Sequence, residues 1–117
     1  MNYRFAFFGL FALLGAAAEP VARVPASATS LVNPYEGVAQ ATQAGGKLYR
    51  RHCAGCHGKE REGRGRIPDL RRDEVTQAPP GALFWILTNG ELAHGMPSWS
   101  KLPEQQRWQL VTYLKSR

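Results

Sequence analysis

The apolar residues of this chain fall into one unbroken run near the start and three later stretches with helical periodicity. The unbroken run covers residues 5–17, follows Arg4 and leads into small residues at positions 16–18. A basic start, an apolar centre and a small-residue end are typical of a secretory signal peptide. The run is shorter than the roughly 20 apolar residues that a membrane-spanning helix needs. We therefore predict a signal peptide over residues 1–18, with a second Ala-x-Ala site allowing cleavage as late as residue 28.

The first periodic stretch covers residues 37–52 and predicts a helix. Its apolar residues recur at steps of three and four: Val38, Ala39, Ala41, Ala44, Leu48 and Tyr49. Gly45 and Gly46 interrupt the pattern, although each glycine costs about 1 kcal/mol relative to alanine inside a helix. A glycine kept inside a helix usually permits the close approach of another element. We therefore expect a second helix to cross the first at Gly45.

Two further helices are predicted in the second half of the chain. One covers residues 81–89: it follows Pro79-Pro80 and stops at Gly90, as expected from the preference for proline at helix starts and glycine after helix ends. The other covers residues 103–115 and is the helix that we expect to cross the first. Its apolar stripe consists of Trp108, Leu110, Val111, Tyr113 and Leu114.

The segment between the signal peptide and the first predicted helix has no periodic pattern. Residues 19–36 are rich in alanine, valine, proline and serine. Such a composition without periodicity predicts a flexible tail or linker. The folded domain is accordingly expected to cover residues 37–117.

A Cys-x-x-Cys-His motif at residues 53–57 has the spacing of a c-type haem attachment site. The thiols of Cys53 and Cys56 are spaced to add across the two vinyl groups of one porphyrin. The small residues between them let the backbone turn tightly beneath the ring. His57 can then donate an imidazole nitrogen to the iron as the proximal ligand. The motif therefore predicts one covalently bound haem c.

Three other uses of the two cysteines fit the sequence less well. A thioredoxin-like redox motif needs a βαβ setting, and no strand-rich pattern surrounds this motif. A structural zinc site needs about four cysteine or histidine ligands, and beyond the motif the chain offers only His52 and His94. A disulfide between Cys53 and Cys56 would leave His57 unexplained.

Met96 is the candidate for the distal side of the haem. It lies between Gly95 and Pro97, in a turn that can aim a side chain, and the chain's only other methionine is the initiator. Methionine sulfur opposite histidine raises the reduction potential of a haem. One alternative is that Met96 fills a gap in the core, as methionines commonly do. Another is that His94 ligates instead, which would lower the potential.

Pro68 is the candidate for holding the proximal histidine. A ligand histidine almost always donates its second ring N–H to a carboxylate or a carbonyl, which fixes the tautomer. Proline is stiff and lacks a backbone N–H of its own, so Pro68 is suited to presenting its carbonyl to His57. The alternative is an ordinary loop proline.

The chain is basic, with 15 Lys and Arg against 9 Asp and Glu, a formal charge of +6. Several basic residues lie close to the haem motif in sequence: Arg50, Arg51, Lys59, Arg61, Arg64 and Arg66. A basic rim favours electrostatic steering towards an acidic partner surface. The alternative is a solvated loop, because Glu60 and Glu62 interrupt the run. Nucleic-acid binding is not expected, because no recognition element is visible.

Taken in order, these motifs resemble the class I c-type cytochromes of the small exported bacterial kind, over roughly residues 40–114. The resemblance rests on Gly45, Leu48, Tyr49, Cys53, Cys56, His57, Ile67-Pro68-Asp69-Leu70, Asn89-Gly90, Gly95-Met96-Pro97, Leu110, Val111, Tyr113 and Leu114. It implies an all-α fold of three to five short helices around one haem, with the N- and C-terminal helices crossing. It also implies that the Pro68 carbonyl holds His57 and that Met96 is the distal ligand. The departure is Ile67, which stands where glycine is common in the family.

The resemblance implies a periplasmic one-electron carrier rather than an enzyme. Such a carrier shuttles electrons between a dehydrogenase or reductase and an oxidase. Its partner could be a quinoprotein dehydrogenase or a terminal oxidase with an acidic docking surface. We expect a monomer with no stable membrane insertion once the signal peptide is cleaved. The alternative is a peroxidase-like or gas-binding haem protein, in which the sixth position is open or taken by His94.

Overall fold

The computed structural model describes residues 20–116, so the predicted signal peptide lies outside the described residues. A 3-10 turn at Pro20–Arg23 opens this part of the chain. The α-helices follow in the order α1 Ala26–Thr29, α2 Ala39–His52, α3 Ala54–His57, α4 Asp73–Thr76, α5 Pro80–Asn89 and α6 Glu104–Lys115. Between residues 20 and 116 there are no strands, only isolated bridges at Arg64–Ile67 and Glu91–Met96. The predicted all-α fold is confirmed.

The helix bounds differ little from the predicted ones. Helix α2 begins two residues later than expected, because Gly37 has a φ of +74°, outside the helical region. Helix α5 has Pro80 in its first turn. It ends at Gly90, whose φ of +72° terminates the helix as the sequence indicated.

Helices α2 and α6 cross at Gly45, as predicted. A Cβ atom at this position would lie 2.0 Å from the backbone oxygen of Gln109 and 2.7 Å from the Cβ of Tyr113. No side chain fits into such a gap, so only glycine lets the two backbones approach this closely. Gly46 beside it is less confined, since a Cβ there would lie 3.3 Å from the Tyr113 ring.

The core lies between this crossing and α5. Its fully buried side chains are Tyr49 from α2 and Leu110 and Val111 from α6. Helix α5 joins through Phe84, whose ring stacks on Trp108 with the centroids 4.1 Å apart. Buried apolar area of this kind is the main favourable term in folding.

The segment expected to be a flexible tail is folded over residues 20–36, and we call these residues the N-terminal strap. Its Val24 and Ala28 are buried and pack against Ala82 of α5. Its Asn33 is also buried and donates a side-chain hydrogen bond to the hydroxyl of Thr112 in α6, at 2.9 Å. The composition gave no sign of this packing, because contacts between residues far apart in the sequence hold the strap and leave no periodic pattern.

Candidate functional site

The Cys-x-x-Cys-His motif forms one helical turn directly after α2. The His57 N–H donates to the Cys53 carbonyl at 2.9 Å and the Gly58 N–H donates to the Ala54 carbonyl at 2.9 Å. Residues three apart on a helical turn lie on the same face, so Cys53 and Cys56 are neighbours on one side of α3. No disulfide joins these two cysteines, both of which belong to the described residues.

The two thiols differ in environment. Cys56 is exposed, whereas Cys53 is half-buried against the core. Burial, together with the nearby Cys56, raises the pKa of the Cys53 thiol to about 11. Cys53 is therefore a protonated, apolar-facing thiol at neutral pH, held at the edge of the core.

Tyr49 fixes the end of the motif to the helix before it. Its hydroxyl, at the centre of the core, donates to the Gly58 carbonyl at 2.6 Å. Burial raises the pKa of Tyr49 well above its usual value, so the hydroxyl keeps its proton. The sequence marked Tyr49 as a packing aromatic and gave no sign of this hydrogen bond.

The imidazole of His57 has an unusual environment. Its Nδ1 atom is buried and has no hydrogen-bond partner of standard geometry among residues 20–116. Burial lowers the pKa of His57, and the Pro68 carbonyl opposes that shift. The Pro68 carbonyl therefore lies near the imidazole, although it makes no hydrogen bond of standard geometry to Nδ1. A neutral imidazole keeps a nitrogen lone pair, which is the form that binds metals.

Gly63 brings Pro68 to this position. Its N–H donates to the His57 carbonyl at 2.7 Å. It has a φ of +73°, and a Cβ atom there would lie 2.4 Å from the Ile67 oxygen and within 2.7 Å of the Pro68 carbonyl. The loop therefore folds back onto the motif through a glycine that the sequence analysis did not single out.

Met96 lies in the segment that follows α5 and is hydrogen-bonded to the last turn of that helix. Glu91 and Met96 exchange two backbone hydrogen bonds, each 3.0 Å long. The Ser98 hydroxyl donates to the Thr88 carbonyl at 2.5 Å, and the Trp99 N–H donates to the Leu87 carbonyl at 2.8 Å. Residues 90–100, which we call the distal segment, are thereby fixed on the C-terminal end of α5.

Two observations place the distal segment beside the motif. Cys53 and Met96 are both partly buried against the same core cluster. The His52 ring also lies against the Trp99 ring, with the centroids 5.0 Å apart. His52 is half-buried, and its contact with Trp99 joins the motif to the distal segment.

His94 has a different environment from Met96. Its side chain is 69% exposed, and its Nδ1 lies 3.5 Å from a carboxylate oxygen of Glu91. Of the two candidate distal ligands, Met96 is the one that packs against the core cluster, which Cys53 also contacts.

The basic residues near the motif do not form a uniform rim. The Arg61 guanidinium donates to the carbonyls of Tyr113 and Ser116 at 3.3 Å and 3.1 Å. It also lies 4.9 Å from the centre of the Tyr113 ring. Arg61 therefore closes the C-terminal end of α6. The other basic residues of the rim are exposed: Arg50, Arg51, Lys59, Arg64 and Arg66.

These side chains fit a covalently bound haem better than they fit another metal centre. Two thiols on one turn, a desolvated imidazole with an unpartnered buried nitrogen, and a thioether on the adjoining segment are the groups that a haem c would need for attachment and ligation. Within residues 20–116, no three His, Cys, Asp or Glu side chains lie together as a metal site would require. A structural zinc site, which needs about four ligands, has no support here.

One cavity in the described part of the chain lies outside this site. A cavity of about 460 Å³ between the strap, α2 and the end of α6 has none of Cys53, Cys56, His57, Pro68 and Met96 in its lining.

None of the helices found between residues 20 and 116 has both the length and the apolar character needed to cross a membrane.

Known proteins match the chain at the level of sequence. A family model described as cytochrome c oxidase, cbb3-type, subunit III matches residues 40–114. The quinohemoprotein alcohol dehydrogenase ADH IIB of Pseudomonas putida is 34% identical over 111 residues. That alignment covers 92% of this chain and 16% of the relative, so the chain spans about one sixth of the length of the relative it matches.

Solved structures match it at the level of the fold. Cytochrome cL of Methylophaga aminisulfidivorans is 23% identical with a TM-score of 0.61, over 90% of this chain and 69% of that one. Cytochrome cL of Hyphomicrobium denitrificans is 22% identical with a TM-score of 0.60, over 86% and 67%. The dihydro-haem d1 dehydrogenase NirN is 31% identical with a TM-score of 0.56, over 62% and 16%. The chain therefore belongs to the cbb3-type subunit III family of c-type cytochrome domains and has the class I cytochrome c fold.

Proposed function

We propose that this chain is a periplasmic one-electron carrier with one haem c, attached through Cys53 and Cys56 and ligated by His57 and Met96. The observation that supports it most strongly is the position of Cys53 and Met96 against one core cluster, joined by the contact between His52 and Trp99. Cys56 and Met96 are 40 residues apart in sequence, yet the contact between His52 and Trp99 brings the motif and the distal segment together in the fold.

The proximal residues hold an imidazole in a fixed, neutral form. Haem c, when bound, supplies one reversible electron at its iron. Burial favours the neutral form of His57, so one ring nitrogen could bind metal while the other would donate its hydrogen to the Pro68 carbonyl. Such a second partner orients a ligand histidine and raises its basicity. In this proposal the thiols of Cys53 and Cys56 would hold the group covalently, each by adding its S–H across one vinyl group of the porphyrin.

The distal residues supply a soft, neutral ligand and keep water away. A methionine thioether opposite a histidine stabilises reduced iron, which suits a carrier that accepts and passes on single electrons. Met96 is partly buried and backed by the core cluster, so its sulfur is presented from an apolar side. If His57 and Met96 both bind the iron, no position would be open for bond chemistry, which is why we propose a carrier and not an enzyme.

The relatives support a dehydrogenase or an oxidase as the redox partner. The Pseudomonas putida relative is named a quinohemoprotein alcohol dehydrogenase, and the family model is described as an oxidase subunit. The exposed arginines and lysine near the motif would steer the chain to an acidic surface on such a partner. We expect the second-order rate of electron transfer with a quinoprotein dehydrogenase to fall as salt is raised from about 0.01 M to 0.15 M. A rate that rises or stays constant would exclude an acidic docking surface.

The ligand assignment is tested by replacing each candidate in turn. We expect Met96→Ala to remove the near-infrared sulfur-to-iron band, to open the iron to carbon monoxide, and to lower the reduction potential within the range of about 0.8 V that axial ligation controls. His94→Ala is the matched control and should leave all three properties unchanged. If His94 is the ligand, the unaltered protein would lack the near-infrared band, and His94→Ala instead of Met96→Ala would open the iron to carbon monoxide. Carbon monoxide binding by the unaltered protein would favour the gas-binding or peroxidase-like alternative.

A further inference from the structure

We propose that the N-terminal strap belongs to the mature protein and positions the distal segment, with Arg23 acting on Met96 through Glu91. This inference rests on the proposed function, because it takes Met96 as the distal ligand. Arg23 is a positioning residue in this proposal: it touches neither the ligand sulfur nor the haem.

The strap packs tightly against α5. Val24 and Ala28 are buried against Ala82. A Cβ atom at Gly81 would lie 2.1 Å from the Ala28 carbonyl oxygen. The strap therefore occupies the space that any side chain at position 81 would need.

One ion pair joins the strap to the distal segment. The Arg23 guanidinium lies 3.0 Å from a carboxylate oxygen of Glu91, and the two residues are 68 positions apart in sequence. The Glu91 side chain is only 18% exposed. An arginine stays charged at every working pH, so this bond does not depend on titration of the arginine.

Glu91 transmits the contact to Met96. Its N–H donates to the Met96 carbonyl and its carbonyl accepts from the Met96 N–H, each at 3.0 Å. The main chain of Met96 is thus fixed on the residue that Arg23 holds by its side chain. Loss of the ion pair leaves the backbone pair intact but frees Glu91 to move with the distal segment, which makes opening of that segment easier.

The same contacts bear on where the signal peptide is cut. Cleavage after residue 28 would remove Arg23, Val24 and Ala28, and with them the ion pair and the buried contacts of the strap. Cleavage after residue 18 would keep all of them. The fold therefore assigns the earlier site.

Imidazole binding to the oxidised holoprotein measures the opening of the distal segment. Added imidazole must displace Met96, so its dissociation constant includes the free energy of that opening. We expect Arg23→Gln to lower this constant about two- to five-fold, the range for a partly exposed ion pair. The near-infrared band should also disappear at a lower temperature, while the Soret band is unchanged.

Arg66→Gln is the matched control. Arg66 is exposed and has no ion pair or hydrogen bond to the rest of residues 20–116, and its replacement removes the same charge. Equal effects of the two substitutions would overturn the positioning role. If the unaltered protein lacks the near-infrared band, the ligand assignment itself fails, which is a distinguishable result.

The intact mass of holoprotein from a haem-maturing host tests the other half of the proposal. A mature chain beginning at Glu19 is expected. A chain beginning at Thr29 would show that the strap is absent from the working protein and would overturn the inference.

Discussion

The helix crossing and the distal segment are held by different kinds of contact. At the crossing, the backbones of α2 and α6 meet at Gly45, and Tyr49, Leu110 and Val111 beside them are fully buried. The distal segment is fixed by a backbone pair at Glu91 and Met96, the Trp99 N–H bond to the Leu87 carbonyl, the Ser98 hydroxyl and one ion pair to the strap. The crossing therefore depends on packing, and the distal segment depends on a few polar contacts.

This difference predicts that the two regions lose their structure in different ways. Buried packing is lost only when the whole domain unfolds, whereas a segment with few buried contacts can open locally at lower free energy. The proposed ligands divide along the same line, with His57 directly after the helix of the crossing and Met96 on the distal segment. Damage to the crossing should abolish the holoprotein, and damage to the distal segment should change ligation alone.

The largest effect is expected from Gly45→Ala. The new methyl group would meet the Gln109 backbone oxygen at 2.0 Å, and backbone cannot move aside as a flexible side chain can. Overpacking costs about 1–3 kcal/mol and occasionally more, and we expect at least the upper end here. Denaturant unfolding of the holoprotein measures it, as does the yield of protein with bound haem.

Gly46→Ala is the control for this substitution. It makes the same chemical change one position along α2, where the new methyl group would lie 3.3 Å from the Tyr113 ring. The gain in helix propensity of about 1 kcal/mol offsets such a mild contact, so stability should change by less than about 1 kcal/mol. If both variants lose the same stability, close approach at Gly45 is not what requires glycine there.

The crossing could be predicted from the sequence because a single residue type, glycine, indicates it. A glycine within a helical pattern, followed far along the chain by a second apolar stripe, has few explanations other than close approach. The haem motif and the helix stop at Gly90 were readable for the same reason, since each depends on residue type and spacing rather than on distant partners. For these elements the local pattern and the fold agree.

The strap and the inner contacts of the site could not be predicted in this way. Arg23 meets Glu91, Asn33 meets Thr112, and neither pair leaves a periodic pattern along the chain. Arg61 resembles its exposed neighbours in the sequence, yet its side chain donates a hydrogen bond to the Ser116 carbonyl at the end of α6. Polar contacts between distant residues are specified by the tertiary fold, and one sequence offers no local sign of them.

The smallest effect, and the one most specific to the distal segment, is expected from Ser98→Ala. The Ser98 hydroxyl donates to the Thr88 carbonyl, which lies in the last turn of α5, where carbonyls lack partners within the helix. Losing this bond should cost about 0.5–1.5 kcal/mol, and the cost should appear in opening of the segment. We expect the near-infrared band to disappear at a lower temperature while the denaturant midpoint of the whole domain stays unchanged.

Ser100→Ala is the matched control for Ser98→Ala. The Ser100 hydroxyl contacts Ser98 at 3.1 Å, and its loss leaves the bond between Ser98 and Thr88 in place. Its effect on the near-infrared band should therefore be the smaller of the two. If Ser98→Ala instead lowers the global midpoint together with the band, the distal segment unfolds only with the crossing. The two regions would then be one cooperative unit, because local opening requires that the band respond before the fold does.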